Sequence, residues 1–105
     1  MIENVTQIIR NFRDSRNWRQ YHSTKNLSMA IAIEAGELME HFQWLTTDES
    51  EKVDIDTKVK VAEELADVLI YCFNLADILN LDVEGIKTDK IIRNGEKYPI
   101  RRKNV

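Results

Sequence analysis

Glu63-Glu64-Leu65-Ala66-Asp67-Val68-Leu69-Ile70-Tyr71-Cys72-Phe73-Asn74-Leu75-Ala76-Asp77-Ile78-Leu79, residues 63–79, is an apolar run that carries acids. Neither Gly nor Pro interrupts it, and it lacks the strict alternation of a half-buried strand, so it reads as part of a helix over about residues 57–80. From Leu65 to Leu79 apolar residues run nearly all round that helix, which therefore needs cover on every side. A chain of 105 residues with few other helices offers limited cover. A second copy of the chain is the simple remedy, and at least a homodimer is expected.

Glu64 and Asp67 are spaced i, i+3, which puts both carboxylates on one helical face. The same spacing occurs at Glu34-Ala35-Gly36-Glu37, directly after the apolar stretch of residues 27–33, and 26 residues separate Glu37 from Glu64. If two helices bring these four carboxylates together, each close pair repels by about 4 kcal/mol at 4 Å and an effective dielectric near 20. Small domains have only about 5–15 kcal/mol of stability to set against several such pairs. Either some of the acids are protonated or a hard divalent cation lies between them, and all-oxygen ligation favours Mg²⁺ or Mn²⁺ over Zn²⁺. Acid pairs are commonly solvated surface residues. Their setting in apolar stretches argues for the metal. His41 falls between Glu34 and Glu37 in azimuth, one to two turns further along, as a ligand or a hydrogen-bonding partner, while Glu40 and Glu63 read as surface or supporting residues.

The remaining sequence bounds the setting. At 43% hydrophobic, 31% charged and net charge −3, residues 1–105 read as one soluble helical domain and not as a nucleic-acid binder, which would usually be basic. Apolar runs stop short of the ~18 residues of a membrane span. Glu3 and Arg10 break any leader-like pattern, and the one cysteine, Cys72, reads as buried filler, so a cytoplasmic protein is expected.

With three Gly and one Pro, the chain permits long helices, and no repeat or sheet pattern appears. An all-α fold is expected, with helices over about residues 3–15, 27–45, 57–80 and 83–93, the last ended by Gly95. Thr24 or Asn26 is the expected cap of the second helix. Residues 46–56 form an acidic connection with room for one helical turn, and the tail over about 98–105 has no strong pattern. Trp18, Tyr21, His22 and Trp44 lie in connections or at helix ends. Aromatic faces there can stack a nucleobase or simply cap the core. Lys87, Lys90, Arg93, Asn94 and Lys97 suit phosphate oxygens or a solvated basic face.

In order along the chain, residues 16–22 (RNWRQYH), 25–27 (KNL), 37–44 (ELMEHFQW), 63–71 (EELADVLIY) and Lys90-x-x-x-Asn94-x-x-Lys97-Tyr98-Pro99 accompany Glu34-x-x-Glu37 and Glu64-x-x-Asp67. This series resembles the MazG-like all-α nucleoside triphosphate pyrophosphohydrolases, within them the small dCTP pyrophosphatase-like branch, over about residues 8–99. The resemblance implies a four-helix-bundle-type protomer in a homo-oligomer, a tetramer built as a dimer of dimers with active sites near subunit boundaries. It implies Mg²⁺-dependent cleavage of a nucleoside triphosphate, dCTP or a modified dCTP, into monophosphate and pyrophosphate. Carried over by position, Glu34, Glu37, Glu64 and Asp67 hold the metal, with Glu34 or Glu37 orienting the water. Trp18 and Trp44 frame the base, with His22 near its edge, and Lys90, Asn94, Lys97 and Tyr71 meet the phosphates. One departure is Ile9, nine residues before Trp18, where the branch can carry a base-contacting His.

The alternative from another class is a non-catalytic metal-binding interaction or regulatory module. A four-helix carboxylate protein binding iron would need Glu-x-x-His pairs, and the sequence has none.

Overall fold

The computed structural model describes residues 2–100. Its elements are α1 (Ile2–Ser15), a 3-10 turn (Trp18–Tyr21), α2 (Thr24–Glu40), a short α3 (Thr47–Ser50), α4 (Ile55–Ile78) and α5 (Val83–Lys97), with no strand among the described residues. The expected all-α class is thus observed. Arg101, Arg102 and Lys103 of the tail lie outside the described residues.

The boundaries follow local chemistry. Ser23 caps α2, its hydroxyl accepting from Asn26 N at 3.0 Å, one residue ahead of Thr24 and three ahead of Asn26, the two expected caps. That helix stops at Glu40, earlier than the apolar spacing suggests. Residues 41–45 wind as tight turns, with Phe42 N donating to Met39 O and Leu45 N to Phe42 O, both at 2.9 Å. Directly beyond them Thr46 and Glu49 form a reciprocal capping box that starts α3. Asp54 caps α4 through Thr57 N at 2.8 Å. Its other end closes on Asn80 at φ 56°, and Leu81 N reaches back to Ala76 O at 2.8 Å, the left-handed ending in which a short amide side chain is tolerated. Gly95 ends nothing. It has no positive φ, and α5 runs past it to Lys97.

The body consists of α2 packed along α4, with α1 crossing α4 on another side. Among the described residues, Leu27, 1% exposed, and Ala76 are the buried apolar ones. The α1–α4 junction is ionic. Asp77 accepts from Arg10 Nε and Arg13 Nη1, each at 3.1 Å, and Arg13 Nε also donates to Asp14 at 2.9 Å. Hydrogen bonds and charge from Arg10, then Arg13, hold the Asp77 carboxyl below the usual carboxylate range. Arg13 is only 5% exposed, and these partners make its burial tolerable.

The four long helices do not close a bundle within one protomer. No residue of α5 is buried, and it makes only marginal contact with the rest. The radius of gyration is 17.5 Å, against about 13 Å for a compact chain of this length. Accessible surface amounts to 8821 Å², where about 6,100 Å² is usual for a folded monomer of this mass. Much of that surface is apolar. Leu65 and Leu69 on α4, Met29 and Ile33 on α2, and Ile91 and Ile92 on α5 are all exposed. Cys72, expected to be buried, is likewise exposed, because it lies on the α4 face that carries Leu65 and Leu69 and that no other helix of the protomer covers.

Candidate active site

On α2, the residues near the azimuth of Glu34 are Leu27, Ala30, Ile31, Leu38 and His41, and this face meets α4. Packing on Leu27 therefore sets acids opposite acids. One carboxylate oxygen each from Glu34, Glu37 and Glu64 lies within 4.8 Å of the others. Glu34 Oε2 and Glu64 Oε2 are buried with no hydrogen-bond partner. Desolvation pushes the Glu34 carboxyl up to about 7, with the Glu37 hydrogen bond and charge and the charges of Asp67 and Glu64 adding to it. The Glu64 carboxyl is raised for the same reasons, desolvation first, and partly offset by His41, whose Nε2 is 4.0 Å from Glu64 Oε1. His41 thus stands beside the cluster, next to one of its acids. Three hard oxygen donors, two of them orphaned, fit Mg²⁺ or Mn²⁺ far better than a soft metal.

These shifts give the metal-free protein a definite pH response. Glu34 begins to lose its proton near 4.5 in the unfolded chain and only near 7 in the folded one. Between those values the folded state binds more protons, so stability falls as pH rises through that window. Thermal melting in EDTA from pH 5 to pH 8 should show a declining Tm that Glu34→Gln flattens. Added Mg²⁺ should raise the Tm more at pH 8 than at pH 5.

Asp67 stands at the edge of the cluster, close enough to raise Glu34 and Glu64, and it lines a neighbouring cleft of about 370 Å³. The other walls of this cleft are Ile8, Ile9, Phe12 and Arg13 of α1, Trp18 and His22, and Ile70, Tyr71 and Asn74 of α4. Asn17, at φ 58°, reverses the chain after α1 and starts the 3-10 turn. Trp18 thereby meets Phe12 edge to face, with centroids 5.5 Å apart, and Arg16 lies over Phe12 at 3.5 Å. Burial lowers the His22 pKa, with the Arg13 and Arg19 charges adding, so the ring is neutral at pH 7, and its Nδ1 is buried without a partner.

Of the residues singled out from sequence, the protomer brings together Glu34, Glu37 and Glu64, and it joins Asp67, Trp18, His22 and Tyr71 along one cleft. Trp44 is not part of that cleft. It is 86% exposed, in the turns after α2, because that helix stops before reaching it. Lys90, Asn94 and Lys97 are exposed on the outstanding α5, and none of them lines the cleft. Asn74 was missed. The available signal was an amide inside an apolar run, seven residues after Asp67 and thus on the same face of α4.

Residues 29–105 match the MazG-like family. The chain belongs to the MazG-like family. Among relatives of this MazG-like chain, dCTP pyrophosphatase 1 of Rattus norvegicus is 35% identical over 101 residues, which is 94% of this chain and 59% of that protein. The Homo sapiens protein of the same name is 35% identical over 100 residues, 93% of this chain and 59% of its own length. This MazG-like chain therefore spans about three-fifths of the curated relatives it matches. The crystal structure of a pyrophosphatase from Archaeoglobus fulgidus shares its fold at a TM-score of 0.88 and 43% identity, covering 93% of this chain and 92% of the other. No described helix of the MazG-like chain is long and apolar enough to cross a membrane.

Proposed function

We propose that the protein is a nucleoside triphosphate pyrophosphatase that cleaves the α–β phosphoanhydride of a deoxynucleotide, dCTP or a modified dCTP, to the monophosphate and pyrophosphate. One observation carries this reading: carboxylates of two helices converge beside an apolar, Trp18-walled cleft, and Asp67 lines that cleft close enough to the cluster to raise Glu34. Triphosphate at the acids and base in the cleft is the one orientation that satisfies both ends. The names of the similar proteins, dCTP pyrophosphatase and pyrophosphatase, support the same chemistry.

In this reading Glu34, Glu37, Glu64 and Asp67 hold Mg²⁺, with Mn²⁺ a substitute. The bound ion supplies neutralisation of the triphosphate and polarisation of its α-phosphorus. Water attacks the α-phosphorus as the bond to the α–β bridging oxygen breaks, and pyrophosphate leaves with that electron pair. Glu34 or Glu37, through an oxygen not engaged with the ion, orients the water and takes its proton. Trp18 stacks on the base and excludes water from the reacting end.

Lys90, Asn94, Lys97 and Trp44 enter this scheme across a subunit boundary. The excess apolar surface and the outstanding α5 support a homo-oligomer in which a second copy covers α4, and the family resemblance favours a tetramer built as a dimer of dimers. Residues 1–105 act as one helical domain, free of nucleic acid or membrane, cleansing the cytoplasmic nucleotide pool.

A panel of nucleoside triphosphates incubated with Mg²⁺, with products resolved, tests the reaction. Monophosphate and pyrophosphate are expected, with dCTP turned over fastest. Diphosphate plus phosphate, or no turnover beside retained metal binding, would reject it, the second in favour of a non-catalytic module. Trp18→Ala should raise KM more than it lowers kcat, by about 1–3 kcal/mol of lost stacking.

A further inference from the structure

Asn74 is 4% exposed, and its Oδ1 has no hydrogen-bond partner. Buried side-chain amides in folded proteins are normally satisfied, so an orphaned one that lines a cleft needs a partner from a bound group or from water. The residue lines the same cleft as Trp18 and His22, on the α4 wall. Seven residues separate it from Asp67, within about 20° of the same azimuth and about 10.5 Å further along the helix. Tyr71 lies between the two. One face of α4 thus carries an acid at the phosphate end and a carboxamide at the far end, a separation comparable with the span of a nucleoside.

The α1 wall does not supply this contact. Ile8, Ile9 and Phe12 present hydrocarbon, and the Arg13 guanidinium is committed to Asp14 and Asp77. His22 Nδ1 is the second orphaned polar atom of the lining. An apolar slot with one aromatic wall and unpaired polar groups along it suits a flat heterocycle whose faces stack and whose edge carries donors and acceptors.

We propose that Asn74 determines base specificity, its carboxamide hydrogen-bonding the edge of the nucleobase stacked on Trp18. The inference rests on the nucleotide reading above. Half a turn about the terminal torsion exchanges Oδ1 and Nδ2 at little cost, so the amide can accept from an exocyclic amino group or donate to a ring nitrogen or carbonyl. A carboxylate at the same position can only accept, and a leucine can do neither.

The test measures kcat and KM for dCTP and dUTP, with Mg²⁺, in the wild type, Asn74→Leu and Asn74→Asp, with folding checked by circular dichroism. Asn74→Leu should raise KM for both nucleotides about tenfold or more, with a smaller change in kcat, and draw the dCTP:dUTP ratio of kcat/KM toward one. Asn74→Asp should move that ratio about tenfold in favour of dCTP, whose amino group still finds an acceptor while the O4 of dUTP meets a negative oxygen. Should the leucine variant not fold, the near-isosteric aspartate decides by itself. An active wild type whose KM and base ranking survive in every folded variant would overturn the inference and leave the reaction standing, an amide satisfied by buried water being then the correct account. A wild type that hydrolyses no nucleoside triphosphate would overturn the functional reading and this inference with it.

Discussion

Glu37→Gln and Asp67→Asn should each lower kcat/KM at least about a hundredfold, some 2.7 kcal/mol of transition-state stabilisation, while helicity and assembly persist. Glu37 shares the cluster with Glu34 and Glu64, one oxygen of each lying within 4.8 Å of the others, and its charge helps to raise both of their carboxyls. Replacing its carboxylate with an amide removes one charge from the metal site and leaves an N–H₂ group where only acceptors are useful. Asp67 stands between cluster and cleft, so its loss should misplace the phosphate end of the substrate relative to the base. Steady-state rates over a range of Mg²⁺ concentrations measure both effects. Near-wild-type turnover in the two variants at saturating Mg²⁺ would refute the metal-site assignment.

If the proposed homo-oligomer forms through the exposed face of α4, Leu69→Arg should leave monomers of 12.3 kDa and reduce activity at least tenfold without touching a residue of the cluster or cleft. Leu69 is 49% exposed on α4, on the far side of the helix from Asp67 and Asn74 and on the same face as Leu65 and Cys72. A guanidinium in the centre of an apolar interface is buried without a partner and opposes association strongly. Activity should fall because Lys90, Asn94, Lys97 and Trp44 lie away from the cleft of their own protomer. Sedimentation equilibrium at micromolar concentration, run beside the activity assay, separates the possibilities. A fully active wild-type monomer would rule out the shared site.

The sequence determined the helices and the convergence of three of the acids. Glu34-x-x-Glu37 and Glu64-x-x-Asp67 set their azimuths by helical spacing alone, and the apolar residues around them dictate that those faces meet. Trp18 and His22 stood out because they occupy a polar connection and not an apolar stripe. Ser23, Thr46 and Asp54 show how sharply single side chains place helix starts.

Only the tertiary structure could decide what lies across from what. Periodicity gives the direction of a side chain about its own helix and says nothing of which wall that direction will face. Arg13 is therefore unremarkable in sequence, yet it is buried against Asp77, 64 residues away. Asn74 reads as one polar residue in an apolar run until α1 and the 3-10 turn close over it and leave its oxygen without a donor. The same limit explains α5 and Cys72. The helix of α5 and the apolar setting of Cys72 were legible, but whether the same chain covers such a face depends on the long-range fit of helices, which local spacing does not encode.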